Sequence, residues 1–216
     1  MIKTGKPVGS LDRVSQAPLV GASRWTARRA GNGEPVDDKR RLILDQALAL
    51  VDERGLAAMS MRAVAERVGL TSMALYPYVG GKDALLDGLV DLLGLELGDD
   101  VGGERPEDWR HRLRALGRAV RALAKRHPGA FPLLLNRPAA GASASWLTAA
   151  LRGILHDAGV PEVHVPRLAR MILAFLLGYA TGEVTGATTV ATDSDDEFEA
   201  DLADLVRLVE VAVRVA

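Results

Sequence analysis

Between Met61 and Gly80 the chain reads MRAVAERVGLTSMALYPYVG, and its polar residues are of the types that read DNA. Thr71, Ser72 and Met73 stand where the N-terminal end of a recognition helix would meet base edges. Hydroxyls pair with several bases and a methionine packs on a thymine methyl, which gives soft discrimination. Arg62, at the start of the preceding helix, has a sharper tool: its guanidinium fork can hold guanine O6 and N7 together. The plain alternatives are a solvated Arg62 and a Met73 turned into a core. What must position these groups is a helix-turn-helix, and the apolar residues fit one. Val64, Val68, Leu70, Leu75 and Tyr78 can pin two short helices against a third, with Ala65 small at their crossing. Gly69 follows where the turn needs a residue tolerant of positive φ.

The pattern extends on both sides. Leu44-x-x-Ala47-Leu48-x-x-Val51, then Gly55, Ser60-x-Arg62, Ala65, Gly69, Leu75-Tyr76 and Gly81-Lys82-Asp83-x-Leu85-Leu86 follow in order. With these residues the stretch from Arg40 to Leu93 resembles the DNA-binding domain of the tetracycline-repressor (TetR) family of bacterial transcriptional regulators. The resemblance implies that Ser60, Tyr76, Tyr78 and Lys82 touch phosphate, where hydroxyls and an ammonium fix register without reading sequence. Tyr78 is expected to serve twice, its ring sealing the three-helix core and its hydroxyl facing the DNA backbone. Pro77 departs from the family pattern. It lacks an N–H and presses on the carbonyl of Met73, so the recognition helix is expected to end early or bend. Ahead of the first helix, Ala22-Ser-Arg-Trp-Thr-Ala-Arg-Arg29 resembles an extension found in a subset of these regulators. Arg24, Arg28 and Arg29 can then enter the minor groove; the alternative is a solvated tail with Trp25 against the body.

Composition limits the other possibilities. The 216 residues contain no cysteine, which removes disulfides and thiolate metal sites and suits a reducing cytoplasm. Lys3, Lys6, Asp12 and Arg13 interrupt any signal-peptide core, and no apolar run approaches the ~20 residues of a membrane span. The longest candidate, Met171–Ala180, reads as a buried helix, so no membrane partner is expected. A net charge of −1 argues against a general nucleic-acid coat, but the charge is uneven. Residues 1–37 carry six basic groups against three acidic ones, whereas Asp193–Asp204 holds seven acids and no base. This suggests a DNA-proximal and a DNA-distal side.

The periodicity predicts an all-α fold in three parts: a flexible basic arm (1–37), a three-helix DNA-binding domain (38–98) and a helical bundle (99–216). Helices are expected from about Asp38 to Arg54, Ser60 to Val68, Ser72 to Tyr78 and Lys82 to a break at Gly98. Asp37 or Asp38 is available to cap the first and Ser60 the second. Gly102, Gly103 and Pro106 mark a joint. Leu113, Leu116, Val120 and Leu123 then follow helical spacing up to Pro128, and a short segment from Phe131 to Leu135 closes at Pro138. Further helices cover about Ser143–Ala158, Val165–Thr185 and Asp195–Val215.

The family resemblance implies two duties for this bundle: dimerisation and capture of a small molecule. Leu168, Met171, Ile172 and Phe175, with Leu202, Leu205, Val206, Val209 and Val213, form apolar stripes expected to build a four-helix dimer contact on one face and to fill the protomer core on another. Leu113, Leu116, Phe131, Trp146, Phe175 and Tyr179 can line a pocket for a small hydrophobic or aromatic ligand, with Arg137 and Glu183 orienting a polar group. His127–Pro138 aligns with the part of tetracycline-binding members that supplies a metal-holding histidine. Leu133 stands at that position, and Gly98 at that of a second one, so tetracycline–magnesium is not the expected ligand. His111, His127, His156 and His164 lack i,i+4 spacing, and no metal or other cofactor is expected. No Gly-x-Ser-x-Gly elbow, phosphate-cradling glycine loop or HExxH motif supports catalysis. The expectation is therefore a cytoplasmic homodimeric repressor on palindromic operator DNA, released by a ligand. Its rivals are a DNA-binding regulator without a ligand and an all-α ligand-binding or enzymatic protein with a vestigial helix-turn-helix.

Overall fold

The computed structural model describes residues 35–101, 108–137, 142–187 and 195–214. Among them the chain forms nine α-helices and one 3-10 turn, with no strand. The expected all-α class holds. The arm up to residue 34, with Arg24, Arg28 and Arg29, lies outside the described residues, as do Gly102, Gly103, Pro106, Pro138, Gly141 and Asp193.

Helix α1 (Pro35–Arg54) begins three residues before the expected Asp38. Pro35 can open a helix because the first position has no intrahelical partner for an N–H. Asp37 and Asp38 therefore lie inside the first turn, where carboxylates complement the helix dipole. The helix buries Ile43, Leu44, Ala47, Leu48, Leu50 and Val51. A 3-10 turn (Leu56–Ala58) follows Gly55 and leads to Met59, which is fully buried. Helices α2 (Met61–Arg67) and α3 (Ser72–Val79) make the helix-turn-helix, and both pack on α1. Val64, Ala65 and Leu75 sit at its centre, while Val68, Leu70 and Tyr78 pack against them partly exposed.

Helix α4 (Lys82–Val101) runs straight past Gly98, where a break was expected. A glycine inside a helix costs only about 1 kcal/mol relative to alanine. Burial of Leu85, Leu86, Leu89, Val90, Leu92, Leu93 and Leu97 outweighs that cost. α4 is consequently shared between the two halves: it packs on α1 and α3 at one end and on α5, α6 and α7 elsewhere.

The bundle consists of α5 (Trp109–Arg126), α6 (Leu133–Asn136), α7 (Ala142–Asp157), α8 (Val165–Thr185) and α9 (Asp195–Arg214). Leu113, Leu116, Val120 and Leu123 of α5 are buried, as their spacing predicts. α8 alone among the described helices is long and apolar enough to cross a membrane, by length and composition, although Arg167, Arg170 and Glu183 interrupt its apolar run. In the fold it packs on α5, α6 and α7. The two apolar stripes are also corrected in part. Leu168, Ile172, Leu202, Leu205, Val206 and Val209 are buried inside the protomer, Phe175 and Val213 are half-buried, and Met171 alone of the named set is exposed.

Candidate nucleic-acid interface

The residues expected to read DNA are set by caps at two helix N-termini. Ser60 is extended ahead of α2, and its hydroxyl accepts from the Ala63 N–H at 3.1 Å. Thr71 does the same for α3, accepting from the Ala74 N–H at 3.3 Å. Each cap satisfies a backbone donor that the helix cannot. Gly69 takes φ +70° in the turn between them, a conformation that an L side chain resists.

Arg67, on the far side of α2, fixes the helix pair to α1. Its guanidinium meets both carboxylate oxygens of Glu53 at 2.7 and 2.5 Å, and its Nε donates to Gln46 at 3.0 Å. The Glu53 carboxyl is held below the usual carboxylate range, first by that hydrogen bond to Arg67. Nothing in the residue spacing marks Arg67 as the strut rather than a solvated cation.

With this framework, α3 presents Met73 77 % exposed and Tyr76 46 % exposed, beside the half-buried Ser72. Met73 is therefore outside the core. α3 also continues two residues beyond Pro77, to Val79, and ends on Gly80 with φ +76°. The proline does not end the helix early, because Leu75 and Val79 anchor its last turns in the core. Arg62 projects from α2 with its side chain 84 % exposed, and its Nε donates to Glu66 at 2.8 Å. Lys82 stands exposed at the first position of α4. Tyr78 packs on the core as expected, and the Lys39 ammonium of α1 lies 5.4 Å from its ring centroid. Lys39 thereby joins the cations around α3, a neighbour that the linear sequence does not reveal.

The residues named for a ligand fall into separate environments. Leu113, Leu116 and Phe131 are fully buried core. Trp146 is partly buried beside Gly98 of α4, where a Cβ would lie 3.8 Å from its ring. Phe175 and Tyr179, one turn apart, pack with their rings tilted by 37° and centroids 5.8 Å apart, and Tyr179 meets Phe198 of α9 at 5.0 Å. Arg121 covers the other part of that group, 4.8 Å from the Phe198 ring. Glu183 is engaged by this cation: the Arg121 Nε and Nη2 donate to it at 2.8 and 2.7 Å, and Lys125 lies 3.2 Å away. The hydrogen bond to Arg121 holds the Glu183 carboxyl below its ordinary range. Arg137 turns instead to α4, 3.3 Å from Asp83 and 3.1 Å from Asp87. Both charged groups named for ligand orientation thus have protein partners. Phe198 and Arg121 were not singled out in the sequence, since Phe198 sits in an acidic run and Arg121 on an arginine-rich helix. Among the described residues, no group of three or more histidine, cysteine or acidic side chains is arranged to hold a metal ion.

Comparison with known proteins agrees with this architecture. Residues 43–89 match the family model described as bacterial regulatory proteins, tetR family. Residues 113–205 match that of the tetracyclin repressor-like C-terminal domain. The HTH-type transcriptional repressor DrrR1 of Streptomyces coeruleorubidus is 30 % identical over 165 residues, covering 74 % of this chain and 58 % of that protein. The chain likewise spans 64 % of an HTH-type transcriptional regulator of Mycobacterium bovis, so it is matched to somewhat under two thirds of these relatives' length. Among solved structures, Streptomyces coelicolor ActR in complex with actinorhodin superposes with a TM-score of 0.69 at 20 % identity, covering 81 % of this chain and 97 % of that one. A structure of BioQ with its double-stranded DNA operator gives 0.64 at 22 % identity, covering 79 % and 96 %. At these identities the superpositions speak for the fold. With the helix-turn-helix and the bundle each matched by its own model, the chain belongs to the TetR family of bacterial regulatory proteins.

Proposed function

We propose that this protein is a transcriptional repressor that binds palindromic operator DNA as a homodimer in the cytoplasm and leaves it when a small organic ligand enters the bundle. The observation that carries the DNA reading is α3: it is capped, anchored by Leu75 and Val79, and leaves Met73 and Tyr76 exposed. Arg62 reads a base edge, while Ser60, Tyr76, Tyr78 and Lys82, with Thr71 and Ser72 at the helix entrance, set register on phosphate and base. The arm's Arg24 and Arg28 add minor-groove contacts. Family membership and the repressor function of DrrR1 support this reading.

The ligand is a small hydrophobic or aromatic molecule, received between the helices that carry Leu113, Leu116, Phe131, Trp146, Phe175 and Tyr179. The fold is shared with ActR, which has been crystallised with actinorhodin. A ligand acts by preferring a dimer whose two recognition helices no longer match successive major grooves. The pairing of both Glu183 and Arg137 within the protein favours a second reading, a regulator without a small-molecule ligand.

Selection of bound fragments from random duplex DNA by the purified chain tests the first half of the proposal. A palindromic consensus should emerge and bind with steep salt dependence, since lysine and arginine displace counterions from phosphate. Enrichment of no sequence over the starting pool would sink the DNA reading. Screening hydrophobic compounds for release from the selected operator then separates the two readings of the bundle.

A further inference from the structure

His127 opens the turn after α5, whose backbone lies directly against α1 of the DNA-reading head. It caps the C-terminus of α5, its N–H donating to the Leu123 carbonyl at 2.9 Å. Its ring reaches across two other elements. Nδ1 lies 2.6 Å from Asp52 Oδ2 on α1, and Nε2 lies 2.9 Å from Glu96 Oε2 on α4. Two residues on, Gly129 meets α1 so closely that a Cβ would fall 2.3 Å from the Val51 carbonyl oxygen.

A neutral imidazole has one N–H and one lone pair, so it can satisfy only one of two carboxylates. Protonated, it donates to both. The other oxygen of Asp52 is buried with no hydrogen-bond partner among the described residues, which leaves the ring as that carboxylate's hydrogen-bonded counter-charge. From α5, Arg126 also approaches, 2.6 Å from Asp100 and 3.9 Å from Glu96, and so offsets part of the α4 charge without touching Asp52.

We infer that His127 is a positioning residue whose imidazolium ties Asp52 of the reading head and Glu96 of α4 to the bundle, so that operator affinity depends on its protonation. The inference rests on the DNA reading proposed above. Its physical basis is pre-organisation: two recognition helices must stand one helical turn of DNA apart, and a head free to rock must be ordered at the moment of binding. The hydrogen bond from the ring to Asp52, followed by that to Glu96, raises the His127 pKa above its ordinary 6.5 against the opposing effect of burial. A raised value in the folded protein fixes the sign. The clasp contributes fully below the ordinary value and is lost as pH rises through the raised one.

The test uses the full chain, its selected operator, and the variants His127→Gln and Asp52→Asn from about pH 6 to about pH 9. Wild-type affinity should decline as pH rises, and amide exchange at the C-terminal turn of α1 should quicken in step. In His127→Gln that pH-dependent part should vanish, leaving at every pH the weaker affinity that wild type shows at high pH, whereas a merely structural role would lower affinity equally at every pH and keep the slope. Parallel pH profiles for wild type and His127→Gln would overturn the inference. So would a His127 ring resonance titrating at or below the ordinary imidazole value. The ring titration and exchange need no variant, so they decide the matter even if His127→Gln fails to fold. Failure to bind any DNA, with the titration and exchange as expected, would refute the DNA reading while upholding the clasp.

Discussion

Arg62 shows how far a single residue's role depends on what it must leave. In the free protein its guanidinium is paired with Glu66 one turn along α2, on a surface open to water. An exposed i,i+4 pair of this kind is weak beside a bidentate contact with guanine O6 and N7, so exchange of one for the other favours the base. Arg62→Ala should weaken specific binding roughly ten- to a hundredfold and relax preference at one base pair per half-site. Titration against the operator and singly substituted versions of it checks this; an equal loss on every sequence would make Arg62 a phosphate contact. The Ser60 cap and the exposure of Met73 were legible at this scale because both follow from local position in a short helix, whereas the cap that Thr71 adds to α3 was not read from the sequence. Nor were the roles of Arg67 and His127. Their partners Glu53 and Asp52 lie 14 and 75 residues away in the chain.

At the scale of elements, most helices follow from spacing and punctuation. α8 occupies the expected Val165–Thr185, bounded by Pro166 near its start and by Gly186 in the left-handed region after its end. α4 is where local signals mislead. Gly98 reads as a stop, yet packing on both sides of the helix carries it through to Val101. The join between halves is then made by two features, the continuous α4 and the turn after α5. In that turn Gly129 is required by close approach, since the atom a Cβ would strike belongs to the Val51 backbone and cannot rotate aside. Gly129→Ala should destabilise the protein by about 1–3 kcal/mol through overpacking, read as a lower denaturation midpoint. A midpoint unchanged from wild type would mean that the turn can lift from α1 without cost.

For the whole molecule, the surface of the proposed homodimer must be built from side chains that the protomer leaves uncovered. Leu205 and Val209 do not qualify, because both lie on the face of α9 that is buried inside the protomer. Charges placed there would unfold the protomer rather than separate two folded ones. Met171 on α8 with Leu208 and Val211 on α9 are the large exposed apolar side chains of the last two helices. Replacing Leu208 and Val211 with Glu should therefore give a folded monomer with weak operator binding. Sedimentation with far-ultraviolet circular dichroism checks both properties, and a dimer of undiminished stability would move the interface elsewhere.

The amino-acid order alone establishes an all-α chain with a helix-turn-helix between Met61 and Gly80, because turns, caps and periodic burial act over a few residues. It also supplies the residues that can face DNA. It leaves open which face of each amphipathic helix is spent inside the protomer, since a stripe such as Leu202–Val209 is equally apolar toward either partner. Long-range packing resolves that choice. The same packing brings Asp52, Glu96 and His127 together and gives Glu183 to Arg121. Charge pairs between distant segments leave no periodic trace, since each member looks like an ordinary solvated residue until the helices are assembled.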